Sequence, residues 1–370
     1  MNRRDFMGLV ALGAGGCLSA RSPGPRGRLR LPPVRVEDGR EIRTVVGLRP
    51  YRRAGFVVRA EKLGEKLLVH NYGHGGGGVT LSWGTADLAA RLALESGAKQ
   101  MAVLGSGAVG LATARLLLER GVGVTVYAAA LPPETTSNIA GAQWFPFSVS
   151  NRAALVGAFR DQFVAAARFA YLRYQSMVGP RWGVRWMTNY SCEDKPPEED
   201  GLLGRAGPLR ELLPDLADLA PGEHPFPSKF VRRFATLMIE PATYLPALIA
   251  DVRLAGGTFV VRRFSATTEV MSLPEPVVVN CTGLGAAALF GDTELVPLKG
   301  QLTVLLPQPE VEYAVLAGEL YMFSRSDGIL LGGTHERGVE TLEPNLEAKR
   351  RILDGHARLF GSVGMGRPDA

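Results

Sequence analysis

The sequence predicts an α/β fold built on a Rossmann-type dinucleotide-binding domain. Three observations predict it. Residues 99–127, KQMAVLGSGAVGLATARLLLERGVGVTVY, read as strand, glycine turn, helix and strand. With 370 residues, 46% of them hydrophobic and 21% charged, the chain has apolar material for one large or two ordinary domains, which excludes disorder. Its 45 glycines stand well above the usual share of roughly 7%, so tight turns and close backbone approaches to a ligand are expected.

In chain order, the N-terminus comes first and holds the charge. The formal net charge is +6. Arg3, Arg4, Arg21, Arg26, Arg28, Arg30 and Arg35 against the single Asp5 account for all of it, so residues 36–370 are formally neutral. A nucleic-acid reader would carry its surplus on the folded body, where it displaces counterions from phosphates, so no nucleic-acid partner is expected. Residues 1–20 place an arginine pair before an apolar stretch, Phe6 to Leu12, too short to span a bilayer. They read as an export leader, and Arg3-Arg4-Asp5-Phe6-Met7 resembles a twin-arginine (Tat) signal. Cys17, after Ala14-Gly15-Gly16, resembles a lipoprotein cleavage box and offers a point of membrane attachment. A periplasmic or cell-envelope location follows as an expectation. Residues 21–35, rich in Pro, Gly and Arg, read as a basic tether without apolar periodicity. Only Cys192 and Cys281 then remain, enough for one bridge at most, and Cys281 in its apolar run reads as buried.

The next informative stretch is HNYGHGGGGVTLSWG at 70–84. Two histidines at i and i+4 could suggest a metal site on a helix. Four consecutive glycines argue against a helix there, and Asn71 stands where a zinc protease carries Glu, so no metal is expected. The glycines, leading into a helix from Gly84 to Glu95, suit backbone N–H donors brought against a planar or anionic ligand.

The βαβ unit follows. Met101 to Leu104 is the first strand, Gly105-Ser106-Gly107-Ala108-Val109-Gly110 the G-x-G-x-x-G turn, Leu111 to Arg120 the helix and Val122 to Tyr127 the second strand. Gly105 permits the tight turn, Gly107 admits a pyrophosphate to the backbone, Gly110 lets helix and strand pack closely, and the helix N-terminus adds partial positive charge. One part is missing. An acid should end the second strand to hold ribose hydroxyls, but Ala128, Ala129 and Ala130 follow Tyr127, with Glu134 the nearest carboxylate and no Arg alongside. That weakens the case for NAD more than for FAD and does not favour NADP.

HNYGHGGGGVTLSWG resembles the flavin-binding signature of the D-amino-acid oxidase family, which includes D-aspartate oxidase. Gly105 to Gly110, Thr135-Thr136-Ser137-Asn138 with Trp144 and Pro146, Val279-Asn280-Cys281-Thr282-Gly283, and Gly47-Leu48-Arg49-Pro50 resemble the same family, as do LKGQLTVL at 298–305 and LLGGTHERG at 330–338. Together they span most of residues 41–340. Their order differs: in the family the G-x-G-x-x-G strand opens the chain and the G-L-R-P and HNYGHGG segments close it, whereas here both come first. The sequence reads as a circular permutant, with the junction at the short Ser-Gly-Ala stretch between Glu95 and Lys99.

The resemblance implies FAD as cofactor, and a D-amino acid and O2 as partners. The implied reaction is hydride transfer from Cα to flavin N5, giving an imino acid that hydrolyses to a 2-oxo acid and ammonia, with H2O2 as the other product. It implies that Arg49 and Tyr321 hold the substrate carboxylate and that the Gly76 carbonyl accepts from the amine. Around the flavin it implies Gly105, Gly107, Ala108, Val109, Gly110, Thr135, Thr136, Gly141 and Thr282, together with Gly75, Gly76, Gly77, Gly78, Val79 and Thr80. Three departures point to a more open, more apolar site that prefers neutral or apolar D-amino acids. The family's Gln after the Trp is Phe145, its aromatic in the glycine cluster is Gly77, and its lid tyrosine before Tyr321 is absent, since Tyr313 has a different local context. The alternatives are an exported flavin dehydrogenase or glycine/sarcosine-type oxidase using a membrane acceptor, and a non-catalytic flavin lipoprotein. The resemblance also implies a mixed-sheet α+β substrate domain beside the Rossmann-type one, and the expected cofactor domain comprises 66–148 and 239–294. The substrate domain comprises 36–65, 149–238 and 295–370, including a helix-like run from Ala153 to Met177 and the Pro-rich, acidic loop Glu193 to Asp200.

Overall fold

The computed structural model describes residues 29–361 and 363. Its strands, in chain order, are β1 (Glu41–Arg52), β2 (Val57–Leu63), β3 (Lys66–Tyr72), β4 (Gln100–Leu104), β5 (Gly123–Ala128), β6 (Val184–Glu193), β7 (Ala217–Leu219), β8 (Phe230–Ile239), β9 (Thr258–Val261), β10 (Val277–Asn280), β11 (Leu295–Leu305), β12 (Tyr313–Ala317), β13 (Leu320–Arg325), β14 (Gly328–Gly332) and β15 (Glu336–Arg337). The α-helices are α1 (Gly78–Leu94), α2 (Ala108–Glu119), α3 (Gly157–Gln175), α4 (Pro241–Leu254), α5 (Thr267–Met271), α6 (Gly285–Phe290) and α7 (Leu346–Gly361).

The short apolar runs form a six-stranded sheet in the order β2-β3-β10-β4-β5-β9. The pairs from β3 to β9 are all parallel, and β2 closes one edge antiparallel. A parallel sheet is covered on both faces, so its strands are apolar throughout and do not alternate. Val69, Met101, Val103 and Val279 join the core under α1, α2 and α4, while Leu68, Ala102, Leu104 and Val278 face the opposite side with Val270 of α5. The second sheet has nine strands in the order β1-β11-β14-β13-β12-β6-β8-β7, with β15 also on β11. Within it β12 and β6 are parallel and the other pairs antiparallel. The amphipathic α7 buries Ile352, Leu353 and Leu359 against Met322, Ile329 and Leu331 of this sheet.

Several expectations change. Helix α1 begins at Gly78, six residues before the expected Gly84, and Gly75–Gly77 form a 3-10 turn ahead of it. Glycine's cost of about 1 kcal/mol per helical position is outweighed by burial of nearly all of α1 between the sheet and α3. The expected helix at 153–177 is α3 preceded by a 3-10 turn at Arg152–Ala154. The sequence reading placed 36–65 with the substrate domain. β2, at 57–63, instead pairs residue for residue with β3 in the six-stranded sheet, because the hairpin Gly64-Glu65 is too short to carry it elsewhere.

The tether also ends earlier than expected. Leu29, Leu31 and Val36 pack against the core of the nine-stranded sheet and Val34 is buried within it. The Leu29 N–H donates to Glu223 O at 2.8 Å, and Tyr313 donates to Pro32 O at 2.7 Å. The alternation Leu29, Leu31 is the apolar period that the Pro/Arg composition hides. The leader, Cys17 and residues 21–28 lie outside the described residues. No helix among the described residues is long and apolar enough to cross a membrane.

Candidate functional site

A cavity of about 1390 Å³ follows the C-terminal ends of β3, β4, β5 and β10 and continues onto the nine-stranded sheet. Crevices at the carboxyl ends of parallel strands are where α/β folds bind ligands. At one end the lining is backbone. Gly105 leaves β4 at φ +105, and a Cβ there would stand 2.4 Å from Cys281 O. Gly110, behind the turn and off the cavity wall, has the Gly105 carbonyl 2.0 Å from where its Cβ would be. Gly107, Ala108, Val109, Thr135, Thr136, Gly141 and Thr282 all line the cavity. The Ala108 N–H at the start of α2 donates to Ser137 Oγ at 3.0 Å. Thr135 donates to Asn138 Oδ1 at 2.8 Å and Thr282 to Asn280 Oδ1 at 2.7 Å, so both hydroxyls are fixed.

The glycine cluster forms the middle of the wall. Gly75, Gly76, Gly78, Val79 and Thr80 line the cavity, whereas Gly77 is turned onto Val149. The Gly76 N–H donates to Ser148 O at 2.9 Å, and Thr80 donates to the Gln143 and Phe145 carbonyls, both at 3.4 Å. Neither histidine of the cluster takes part in a metal group among the described residues. Asn280 Nδ2 donates to His70 Nδ1 at 3.1 Å, which leaves Nε2 to donate to Glu61 Oε1 at 3.0 Å. Burial lowers the His70 pKa against the pull of Glu61. His74, stacked on Phe56 and bonded to Thr85, is pushed down to about 3 by burial. Both rings are structural, and the one on His70 fixes the Asn280–Thr282 turn.

At the far end the lining is side chains. Arg49 of β1 donates through Nη1 to Thr334 O at 3.3 Å and through Nη2 to the Tyr321 hydroxyl at 3.5 Å. The Arg49 guanidinium lies across Gly300 and the Tyr321 ring across Gly332: a Cβ on either glycine would stand 2.3 and 2.2 Å from those side chains. Among the described residues no carboxylate pairs with Arg49. His335, beside it on the cavity wall, is lowered by burial and then by the charge of Arg49. A fork of guanidinium donors without a counterion, flanked by a phenol, is suited to a carboxylate. Aromatic rings add apolar lining: Phe145 stacks on Phe234 with centroids 5.6 Å apart, and Phe323, two residues along β13, stacks on Tyr321 at 5.1 Å.

Sequence reasoning missed the contribution of β9. No arginine follows β5 in sequence, yet β9 runs parallel beside it with Ala128 opposite Val261. The next residues, Arg262, Arg263 and Phe264, line the cavity together with Ala128 to Ala130 and Glu134. Adjacent arginines at the end of a four-residue strand carry no local signal of this placement. The pairing of β5 with β9 creates it.

A family model described as FAD dependent oxidoreductase (DAO) matches residues 100–369. The chain is 31% identical over 280 residues to a D-amino-acid oxidase of Streptomyces coelicolor, covering 72% of this chain and 80% of that one. It is 30% identical over 263 residues to the human D-aspartate oxidase, covering 69% and 74%. In fold it is similar to the glycine oxidase of Geobacillus kaustophilus, with a TM-score of 0.53 and 17% identity over 72% of this chain and 79% of the other. The chain belongs to the FAD dependent oxidoreductase family, and FAD is its cofactor. The cavity fits that group, because the turn at Gly105–Ala108 and the cluster at Gly75–Gly78 bring main chain to the wall where added Cβ atoms would fill the space or clash.

Proposed function

We propose that this enzyme oxidises neutral or apolar D-amino acids to the imino acid, which hydrolyses to a 2-oxo acid and ammonia, with O2 reduced to H2O2. The observation that carries the reading is the unpaired Arg49 guanidinium beside the Tyr321 hydroxyl, at the end of a cavity whose other end is the dinucleotide turn. FAD, when bound, supplies the hydride acceptor. The protein's own part is positioning. Arg49 and Tyr321 take the substrate carboxylate, the Gly76 carbonyl takes the amine, and Phe145, Phe234 and Phe323 offer the side chain a dry wall. The phenylalanines near Arg49 support neutral over acidic substrates, and Arg232, another cation of the lining, is already held by Asp218 and Glu199. The test is anaerobic bleaching of the flavin with a panel of D- and L-amino acids and glycine, followed by peroxide measurement in air. Rapid bleaching by neutral D-amino acids is expected. D-Asp or D-Glu as best substrate would overturn the preference, glycine as best substrate would favour the glycine-oxidase reading, and bleaching without peroxide would favour a dehydrogenase.

Circular permutation and export belong to the same proposal. The family match begins at residue 100, yet residues 41–94 supply β1 as an edge strand of the nine-stranded sheet, β3 inside the six-stranded sheet and the buried helix α1. The link from α1 to β4 is the short turn at 95–99, with Gly97 at φ +71. A gene reopened at Lys99, with residues 41–96 returned by a linker to the C-terminus, should still yield flavin-loaded protein. Export is checked by fractionating cells that make the full chain: signal in the cytoplasm alone, with or without Arg3→Lys/Arg4→Lys, would reject it.

A further inference from the structure

In dinucleotide-binding βαβ units the strand after the glycine-rich helix ends near a carboxylate that accepts from the ribose hydroxyls. An arginine there instead accommodates a ribose phosphate. Here β5 ends at Ala128 and continues as Ala129 and Ala130, which can do neither. The neighbouring strand fills the position. β5 and β9 pair in parallel from Thr125 opposite Thr258 to Ala128 opposite Val261, and the Arg262 N–H donates to Ala128 O at 2.8 Å. Arg262 and Arg263 therefore leave β9 at the level of the sheet where the acid would leave β5, and both line the cavity.

Their partners leave the charge only partly compensated. The Arg262 guanidinium lies 4.7 Å from the Phe264 ring centre and 3.8 Å from Glu269 Oε2, a long contact to a carboxylate outside the cavity lining. Arg263 is exposed and makes no ion pair with any described residue. Glu134 is the carboxylate on this stretch of wall. With Glu269 set outside the lining and reached only by the long contact to Arg262, Arg263 is the guanidinium left without an ion-pair partner among the described residues, and the exposed donors at this end are cationic.

We infer that Arg262 and Arg263 make the adenosine end of the site a cationic pocket that accepts an adenine nucleotide phosphorylated on its ribose 2′-oxygen. A carboxylate at the end of β5 would repel such a ligand, whereas guanidinium forks bind phosphate oxygens in charge-assisted pairs. FAD itself, with free ribose hydroxyls, has no phosphate to place against these forks, and its pyrophosphate belongs at the Gly105–Ala108 turn.

The test uses flavin-free full-length protein and reads FAD binding by quenching of flavin fluorescence, with displacement by adenosine 5′-monophosphate and by adenosine 2′,5′-bisphosphate. The bisphosphate should displace FAD at concentrations about tenfold lower, the effect of one charge-assisted pair, and the advantage should shrink as salt is raised. In Arg262→Gln/Arg263→Gln the two competitors should become equal within about twofold while FAD still binds. Arg263→Gln alone, at an exposed position, should remove part of the advantage and serves as the readout if the double variant loses FAD. Glu134→Gln should leave FAD affinity unchanged. Equal displacement by the two nucleotides in the unaltered protein, or an advantage that survives the arginine substitutions, would overturn the inference. So would weakened FAD binding in Glu134→Gln, which would mean that a carboxylate holds the ribose after all.

Discussion

At the dinucleotide end of the cavity the ligand-facing surface is main chain from one short stretch, Gly105 to Ala108, with Gly110 packed directly behind it. At the proposed substrate end it is two side chains, Arg49 and Tyr321, that stand 272 residues apart in sequence and meet only across a sheet. The two ends tolerate change differently. Main-chain recognition needs the absence of a Cβ at fixed positions, and a violation breaks the turn together with the ligand contact. Side-chain recognition needs a functional group and room to lie down. Losing the group harms the substrate contact while leaving the fold intact.

The first prediction strains that contrast hardest. Gly110→Ala sets a methyl 2.0 Å from the Gly105 carbonyl, a backbone atom that cannot yield alone. Loss of bound FAD and about 3 kcal/mol or more of stability are expected, read from flavin absorbance after gel filtration and from thermal melts. Wild-type flavin content would mean that the turn is not where the dinucleotide sits. Next in size, Arg49→Ala should keep FAD and melting temperature but raise KM about 100-fold, the cost of removing one partner of a desolvated charge pair. Unchanged kinetics would remove Arg49 from the site. Tyr321→Phe should raise KM about five- to tenfold, as for one lost hydrogen bond. Gly332→Ala, which displaces the Tyr321 ring without removing its hydroxyl, should reproduce that effect. A Gly332→Ala enzyme with native KM would show that the tyrosine's position is not critical.

The smallest effect concerns pH, and two buried histidines report it, one under the glycine cluster and one on α7 beside Tyr321. His74 under the glycine cluster is held at about 3, and His356 of α7 at about 4, by burial that disfavours the charged ring. His356 lies between the Ile352 and Tyr321 carbonyls. An unfolded chain takes up protons near pH 6.5 that these native rings refuse. Their contribution to stability is therefore complete above about pH 6.5 and falls as pH drops from there toward 4 and 3. Melting temperature should decline over that window, with a shallower slope in His74→Gln. A flat profile between pH 7 and 5 would contradict neutral burial of both rings.

The glycine-rich turn was legible because its chemistry is local: strand, turn and helix lie within thirty residues, and the positive φ of Gly105 leaves few other residue types. The segment 70–84 was legible as ligand-facing, but its helix was placed too late, because the propensity of four glycines says nothing of the packing that overrides it. Residues 29–35 were misread for a similar reason. Their composition is that of a linker, and only their docking onto the nine-stranded sheet shows which side chains are buried.

By itself the sequence determined two strands of the parallel sheet, β4 and β5, and the glycine-rich turn between β4 and α2, which rest on periodicity and on residues close in the chain. Arg49 and Tyr321 were singled out by motif resemblance alone. What the tertiary structure decided is which strands lie side by side: β2 with β3, Gly300 beneath Arg49, Gly332 beneath Tyr321, and Arg262 and Arg263 beside Ala129. Strand pairing is set by burial summed over whole sheets, a quantity that no local run of residues encodes.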